Sequence, residues 1–149
     1  MIIAGNYTIR DFRPGDYPQL EELWKETGLA DPQRGDDLGV IERCLRIGGQ
    51  LLIMEENSSK KIIGSSWTTF DGRRLYIYYF AIHPDYQNKG LGTILARESL
   101  KFVKESGHQI KLEVHKENLQ AKHVYEKLGF FAFTDYDIYM IRDVKNITL

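Results

Sequence analysis

Residues 75–105 contain, without interruption, a strand, a turn, a closely spaced pair of glycines and a helix, and no other stretch of the chain is as informative. LYIYYFAI (75–82) is a run of β-branched and aromatic residues that reads as a strand. His83-Pro84-Asp85 breaks it and QNKGLG follows. Leu91, Ile94, Leu95, Leu100 and Val103 then recur at roughly helical spacing to about Glu105. Glycine at positions 90 and 92 lets the backbone approach a ligand with no Cβ in the way. A helix start adds unpaired N–H groups and the positive end of the dipole, which together bind phosphate oxygens. The stretch therefore predicts a pyrophosphate cradle over residues 87–93, although a Gly-Leu-Gly at a helix start is, taken alone, equally an ordinary loop. Two competing glycine motifs fail. GLGTIL lacks the third glycine of a dinucleotide fingerprint, and no GxxxxGK[ST] is present.

The rest of the chain supplies a sheet for this unit to join. A short strand is expected at Tyr7–Phe12. A helix capped by Asp16 carries Leu20, Leu23 and Trp24 and stops near Gly28. Asp37 caps a second helix that ends at Gly48-Gly49. QLLIMEE and IIGSSWTTF read as strands, and Asp71-Gly72 as a hairpin turn. IKLEV is a further strand, Asn118–Leu128 a helix closed by Gly129, and FFAFTDY and DIYMIR two closing antiparallel strands. The order is β-α-α-β-β-β-α-β-α-β-β, which predicts an α+β fold with a mixed, mostly antiparallel central sheet flanked by helices. No repeat or linker divides the 149 residues, so a single domain over 1–149 is expected.

Composition excludes several functions. Twenty basic against 21 acidic residues leave a net charge of −1, too little excess for a general nucleic-acid binder. The single cysteine, Cys44, forms neither an internal disulfide nor a zinc site, and reads as a small apolar residue on a helix. No metal site is expected. Neither a leader peptide nor an apolar run of membrane-spanning length is apparent, which predicts a cytoplasmic protein with no membrane partner. The sequons at Asn57 and Asn146 accordingly carry little weight.

The cradle resembles the acetyl-CoA motif of the GNAT superfamily, [QR]-x-x-G-x-[GA] after a strand that ends in a V/I-x-P turn. Gln87, Gly90 and Gly92 occupy its positions, and Ile82-His83-Pro84 the turn. A second family pattern, N-x-x-A-x-x-x-[YF]-x-x-x-G-[FY], is met by Asn118, Ala121, Tyr125, Gly129 and Phe130. The resemblance is specific over residues 80–131 and weak over the first 70. It implies a GNAT-like fold and an N-acetyltransferase using acetyl-CoA as cosubstrate. The cofactor-binding residues it implies are Phe80, Ala81, Ile82, Gln87, Asn88, Lys89, Gly90, Leu91, Gly92, Thr93, Asn118, Ala121 and Tyr125.

Acetyl transfer to an amine needs a neutral amine, aligned reactants and a stabilised thiolate. Tyr125 lies seven residues after Asn118, two helical turns, so both project toward one ligand. It is the candidate acid, a role the resemblance also gives it; phenylalanine-like packing is the alternative. Glu113, in LEVHKEN, is the candidate base. It lies twelve residues before Tyr125, and the motif region is similar to ribosomal-protein N-terminal acetyltransferases, in which a catalytic glutamate and tyrosine stand at that separation; a solvent-facing residue, or one paired with Lys111 or Lys116, is the plainer reading. His83, His108, His115 and His123 are expected to be solvated. Tyr76, Tyr78 and Phe80 should share one strand face, with Tyr79 on the other. These tyrosines and Phe80, with Trp24 and Trp67, are candidates for the acceptor cleft, core packing being the commoner meaning of such a stripe; Asp31, Asp36 and Asp37 are candidates for attracting a cationic amine, a solvated acidic loop being the commoner meaning there. Lys89, Lys116 and Lys122 are candidates for CoA phosphates. The acceptor class stays open between small-molecule amines and a protein N-terminus or lysine. A homodimer is compatible with the sequence and not derivable from it. A non-catalytic acyl-CoA sensor is the competing function.

Overall fold

Strands long enough to be covered on both faces lose the alternation of a half-solvated sheet, and Gln50–Glu56 and Ile62–Phe70 are of this kind. The structure, a computed structural model, describes residues 1–148, the side chains of Ile2 and Ile3 excepted. One sheet holds β1 (Ile2–Ala4), β2 (Tyr7–Asp11), β3 (Gln50–Glu56), β4 (Ile62–Phe70), β5 (Leu75–Ile82) and β6 (Ile110–Leu112) in chain order. Successive strands are antiparallel until the last, where β6 runs parallel to β5. The helices are α1 (Tyr17–Glu26), α2 (Leu38–Arg46), α3 (Leu91–Ser106) and α4 (Leu119–Lys127). This is the mixed, mostly antiparallel α+β sheet expected, and the element order agrees from β2 through α4. Among the described residues no helix is long and apolar enough to cross a membrane.

Each face of the sheet has its own core. On one, Leu20, Leu23 and Trp24 of α1 and Ile41 of α2 pack on Leu51, Ile53, Ile62 and Trp67. On the other, Leu91 and Leu95 of α3 pack on Leu52, Met54, Ile63 and Ile82. Each of these aliphatic side chains contributes about 1.5–3 kcal/mol by leaving water.

The alternation expected along β5 is broken by a bulge. Ser65 pairs with Ala81 and Trp67 with Tyr78, so three steps on β5 oppose two on β4. Tyr79 takes up the extra residue with a left-handed φ of 46°. The parity shift corrects the expected faces. Tyr79 packs with Trp24 and Trp67 on the α1–α2 side, the side Tyr78 shares with its partner Trp67, while Phe80 packs beside Ile82 on the α3 side. Ser65 fixes the bulge by donating its hydroxyl to the Tyr79 carbonyl (2.7 Å) and accepting the Trp24 indole N–H (3.0 Å).

Three further expectations are corrected. Ile2–Ala4 forms an additional strand, antiparallel to β2. The two closing strands, FFAFTDY and DIYMIR, are absent: residues 130–142 carry no strand, and 131–142 are exposed throughout. Aromatic and β-branched composition does not make a strand without a paired edge and a face to bury, and β6 offers an edge of only three residues. Asp16 stands at the N-cap of α1 but does not cap it. Its carboxylate instead accepts both terminal nitrogens of Arg10 (2.7 and 2.9 Å) and the Arg13 N–H (2.7 Å). A bidentate charge-assisted contact outcompetes a single cap bond.

Candidate functional site

β5 ends at Ile82, and the chain passes through Pro84–Tyr86 into the turn that starts α3. Asn88 and Gly90 both adopt left-handed backbone, φ 61° and 75°. Gln87 ties the turn to the strand, its amide donating to the Ile82 carbonyl at 2.9 Å. The first helical bond runs from Ile94 N–H to the Gly90 carbonyl (3.2 Å). The N–H groups of Leu91, Gly92 and Thr93 therefore have no acceptor within the helix. A Cβ built on Gly92 would meet only Ile82 Cγ1 at 3.8 Å and Phe80 Cε1 at 4.0 Å, so packing alone does not demand glycine there.

These groups line a cavity of about 270 Å³, with Phe80 and Ile82 on one side and Asn118, Ala121 and Tyr125 of the α4 region on the other. α4 is joined to the turn by the Gln120 amide, which donates to Asn88 Oδ1 at 2.9 Å. Asn118 caps α4, its Oδ1 accepting the Ala121 N–H at 3.1 Å, which leaves its NH2 to face a ligand. Tyr125 is 8% exposed, edge-on to Phe80 at 5.9 Å, and burial pushes its pKa up to about 12. The cavity opens where the sheet forks. β5 and β6 pair from Leu75↔Ile110 to Ile77↔Leu112 and no further, so residues 78–82 keep one backbone edge free of a strand partner.

The residues expected at the cofactor fall together with two exceptions. Ala81 packs its methyl group with the Trp24–Trp67 cluster on the far face, and Lys89 lies 5.1 Å over the Tyr86 ring. Tyr86, Gln120 and Val124 line the cavity without having been singled out. Val124 follows Ala121 by one helical turn, a spacing that marks it, whereas nothing local marks Tyr86. Glu113 lies outside the cavity lining, just beyond the end of β6 and near Tyr76 and Tyr78, whose pKa values it helps raise after burial.

His83 is buried, 5% exposed, and not solvated as expected. Its Nδ1 accepts the Asp85 N–H (3.2 Å), which leaves Nε2 to donate to Glu26 (2.8 Å), with Lys61 Nζ at 3.0 Å. The ring thereby pins the cradle turn to the end of α1. His108 lies against Phe70 (4.7 Å), and His115 accepts the Glu117 N–H.

Comparison with known proteins agrees with this fold. An acetyltransferase of Sodalis glossinidius is 30% identical over 123 residues, 82% of this chain and 85% of its own. The ribosomal-protein-S18-alanine N-acetyltransferase of Escherichia coli superposes with a TM-score of 0.72 at 22% identity, covering 86% of this chain and 79% of its own. A Salmonella typhimurium protein solved with its cofactor acetyl-CoA gives 0.71 at 22% identity, covering 85% and 80%. The profile of the acetyltransferase (GNAT) family matches residues 17–130. That match spans well over half of the chain and runs from α1 to the end of the second motif, and this protein belongs to the acetyltransferase (GNAT) family.

Proposed function

We propose that the chain acts as one N-acetyltransferase domain, moving an acetyl group from acetyl-CoA to a primary amine by direct transfer, with no acyl-enzyme. The observation that carries this reading is the junction of three features in one cavity. They are the unpaired N–H groups at the start of α3, the free edge of β5, and the Tyr125 hydroxyl-bearing ring. The N–H groups of residues 91–93 suit a pyrophosphate, and the free edge of β5 suits an extended amide-bearing arm. Bound acetyl-CoA would supply an acyl carbon and a thiolate leaving group.

Tyr125 is the proposed proton donor to the sulfur as the C–S bond breaks. At about 12 its phenol is a weaker acid than free tyrosine. The same burial also strengthens the thiolate as a base, because desolvation disfavours both anions. The amine loses one proton as its nitrogen bonds to the acyl carbon, and Glu113, at the fork, is the proposed acceptor of that proton, directly or through water. Cys44 packs partly buried on the α1–α2 face, away from the cavity lining, and burial pushes its thiol pKa up; both features disfavour a cysteine acyl carrier.

The test is acetyl-CoA turnover, read as free thiol, across small amines and peptides, with calorimetric binding of CoA. CoA binding with amine-dependent thiol release is expected. CoA binding with no release for any amine leaves a sensor, and no CoA binding removes the reading altogether.

A further inference from the structure

On the face opposite the cradle, β5 exposes an aromatic side chain that the core does not use. Tyr78 is 41% exposed between Ile77 at 5% and Tyr79 at 6%. Its ring stacks on Tyr76 with centroids 4.3 Å apart. A carboxylate stands at each end of this floor. Tyr79, brought to the same face by the bulge, donates its hydroxyl to Asp36 at 2.8 Å. At the other end Lys111 lies 5.5 Å over the Tyr76 ring. Glu113 is two residues further on, just past the end of β6, and close enough to Tyr76 and Tyr78 that its charge helps push both phenol pKa values up.

Among the described residues neither Asp36 nor Glu113 is in a salt bridge. The flanking rings already hold cations, Arg34 at 5.1 Å over Tyr79 and Lys111 over Tyr76, and among the described residues no side-chain cation covers Tyr78. The Tyr76 hydroxyl is shut off from solvent and turned toward Glu113. The indole N–H of Trp67, the residue directly opposite Tyr78, is shut off from solvent with no hydrogen-bond partner.

We infer that Tyr78 is the floor of the acceptor subsite and that the acceptor is an aliphatic diamine or longer polyamine, one ammonium directed to Glu113 and the other to Asp36. This rests on the amine-acetyltransferase reading above. An ammonium over an aromatic face is attracted by the ring quadrupole. Two unpaired carboxylates at opposite ends of the ring stack match two positive charges separated by an apolar chain. Glu113 directly follows the last β5–β6 pair, Ile77↔Leu112, so its end stands at the fork and holds the reacting nitrogen. An acceptor bearing a carboxylate or phosphate would bring like charge against Asp36 or Glu113.

The experiment compares 1,4-diaminobutane and spermidine with 1-aminobutane, an amino acid and a sugar-phosphate amine, by thiol release and by calorimetric binding of each to the CoA-loaded protein. Diamine is expected to exceed monoamine in kcat/KM and in affinity by about tenfold or more, as for one added close charge pair. Asp36→Asn, which still accepts the Tyr79 hydroxyl, should reduce that ratio toward one. Tyr78→Leu, at an exposed ring, should weaken both amines. Equal use of diamine and monoamine, a preference for an anionic acceptor, or an undiminished ratio in Asp36→Asn overturns the inference while leaving the transferase reading intact. Preferential diamine binding without any thiol release keeps the subsite and sinks the transferase reading instead.

Discussion

A methyl group added at Gly92 would meet nothing nearer than Ile82 Cγ1 at 3.8 Å, so Gly92→Ala should fold normally and lose only the close approach of a ligand. We expect an unchanged or slightly raised Tm, since alanine exceeds glycine by about 0.5–1 kcal/mol inside helices, and a CoA affinity at least about tenfold weaker. Wild-type CoA affinity by calorimetry would remove the cradle from the proposed function. Gly90 cannot serve as that probe. Its φ of 75° strains any other residue, so a loss of binding there would report on folding as well. Tyr125→Phe keeps the ring against Phe80 and deletes the proton. The expected cost is about 10²-fold in kcat with CoA affinity nearly constant. Because burial holds Tyr125 near 12, its ionisation should produce no fall in rate up to pH 10. An alkaline limb below pH 10 that vanishes in Tyr125→Phe would contradict this.

The bulge in β5 shows which part of an element is written locally and which is not. The bounds of β3, β4 and β5 follow from composition and turn residues, since each is a buried run bracketed by glycine or charged turns. The residues of the two motifs likewise come together around one cavity, because their spacing is set within a single turn and helix. Which face Tyr79 and Phe80 take is decided elsewhere, by a serine hydroxyl on β4 and an indole on α1. No period-2 reading of LYIYYFAI contains that information, so Tyr79 and Phe80 take the faces opposite to those expected. His83 and the strandless segment 130–142 depart from expectation for the same reason, because tertiary partners, present or absent, decide both. Ser65→Ala should leave the Trp24 indole and the Tyr79 carbonyl without their partner, at a cost of about 1–3 kcal/mol in denaturant unfolding. With the bulge loosened, kcat should fall more than CoA affinity, as expected for misplacement near the fork rather than at the cradle. Wild-type stability in Ser65→Ala would show that the ladder alone holds the bulge.

Across the whole molecule, the half of the sheet remote from the cavity is anchored by Arg10, which bridges β2, the start of α1 and β3 through Asp16 and Glu55 (2.8 Å). All three side chains are about 13–14% exposed. Burial works against the Asp16 charge, but Arg10 and the Arg13 N–H outweigh it, and Arg10 likewise lowers Glu55. Both carboxylates therefore bind protons less readily folded than unfolded. Their contribution is complete above the unfolded values near 4 and is lost as pH falls through the lower folded values. Arg10→Met should cost about 3 kcal/mol at pH 7. That difference should shrink at pH 3, and a pH-independent difference would assign the loss to packing. The sheet also separates traffic. The cradle cavity lies on the α3–α4 side and the Tyr78 floor on the α1–α2 side, with the fork between β5 and β6 as the opening between them. On the proposed reading each product can leave by its own door while the opposite door is still occupied. CoA should then inhibit competitively against acetyl-CoA and noncompetitively against the amine, and neither substrate should have to arrive first.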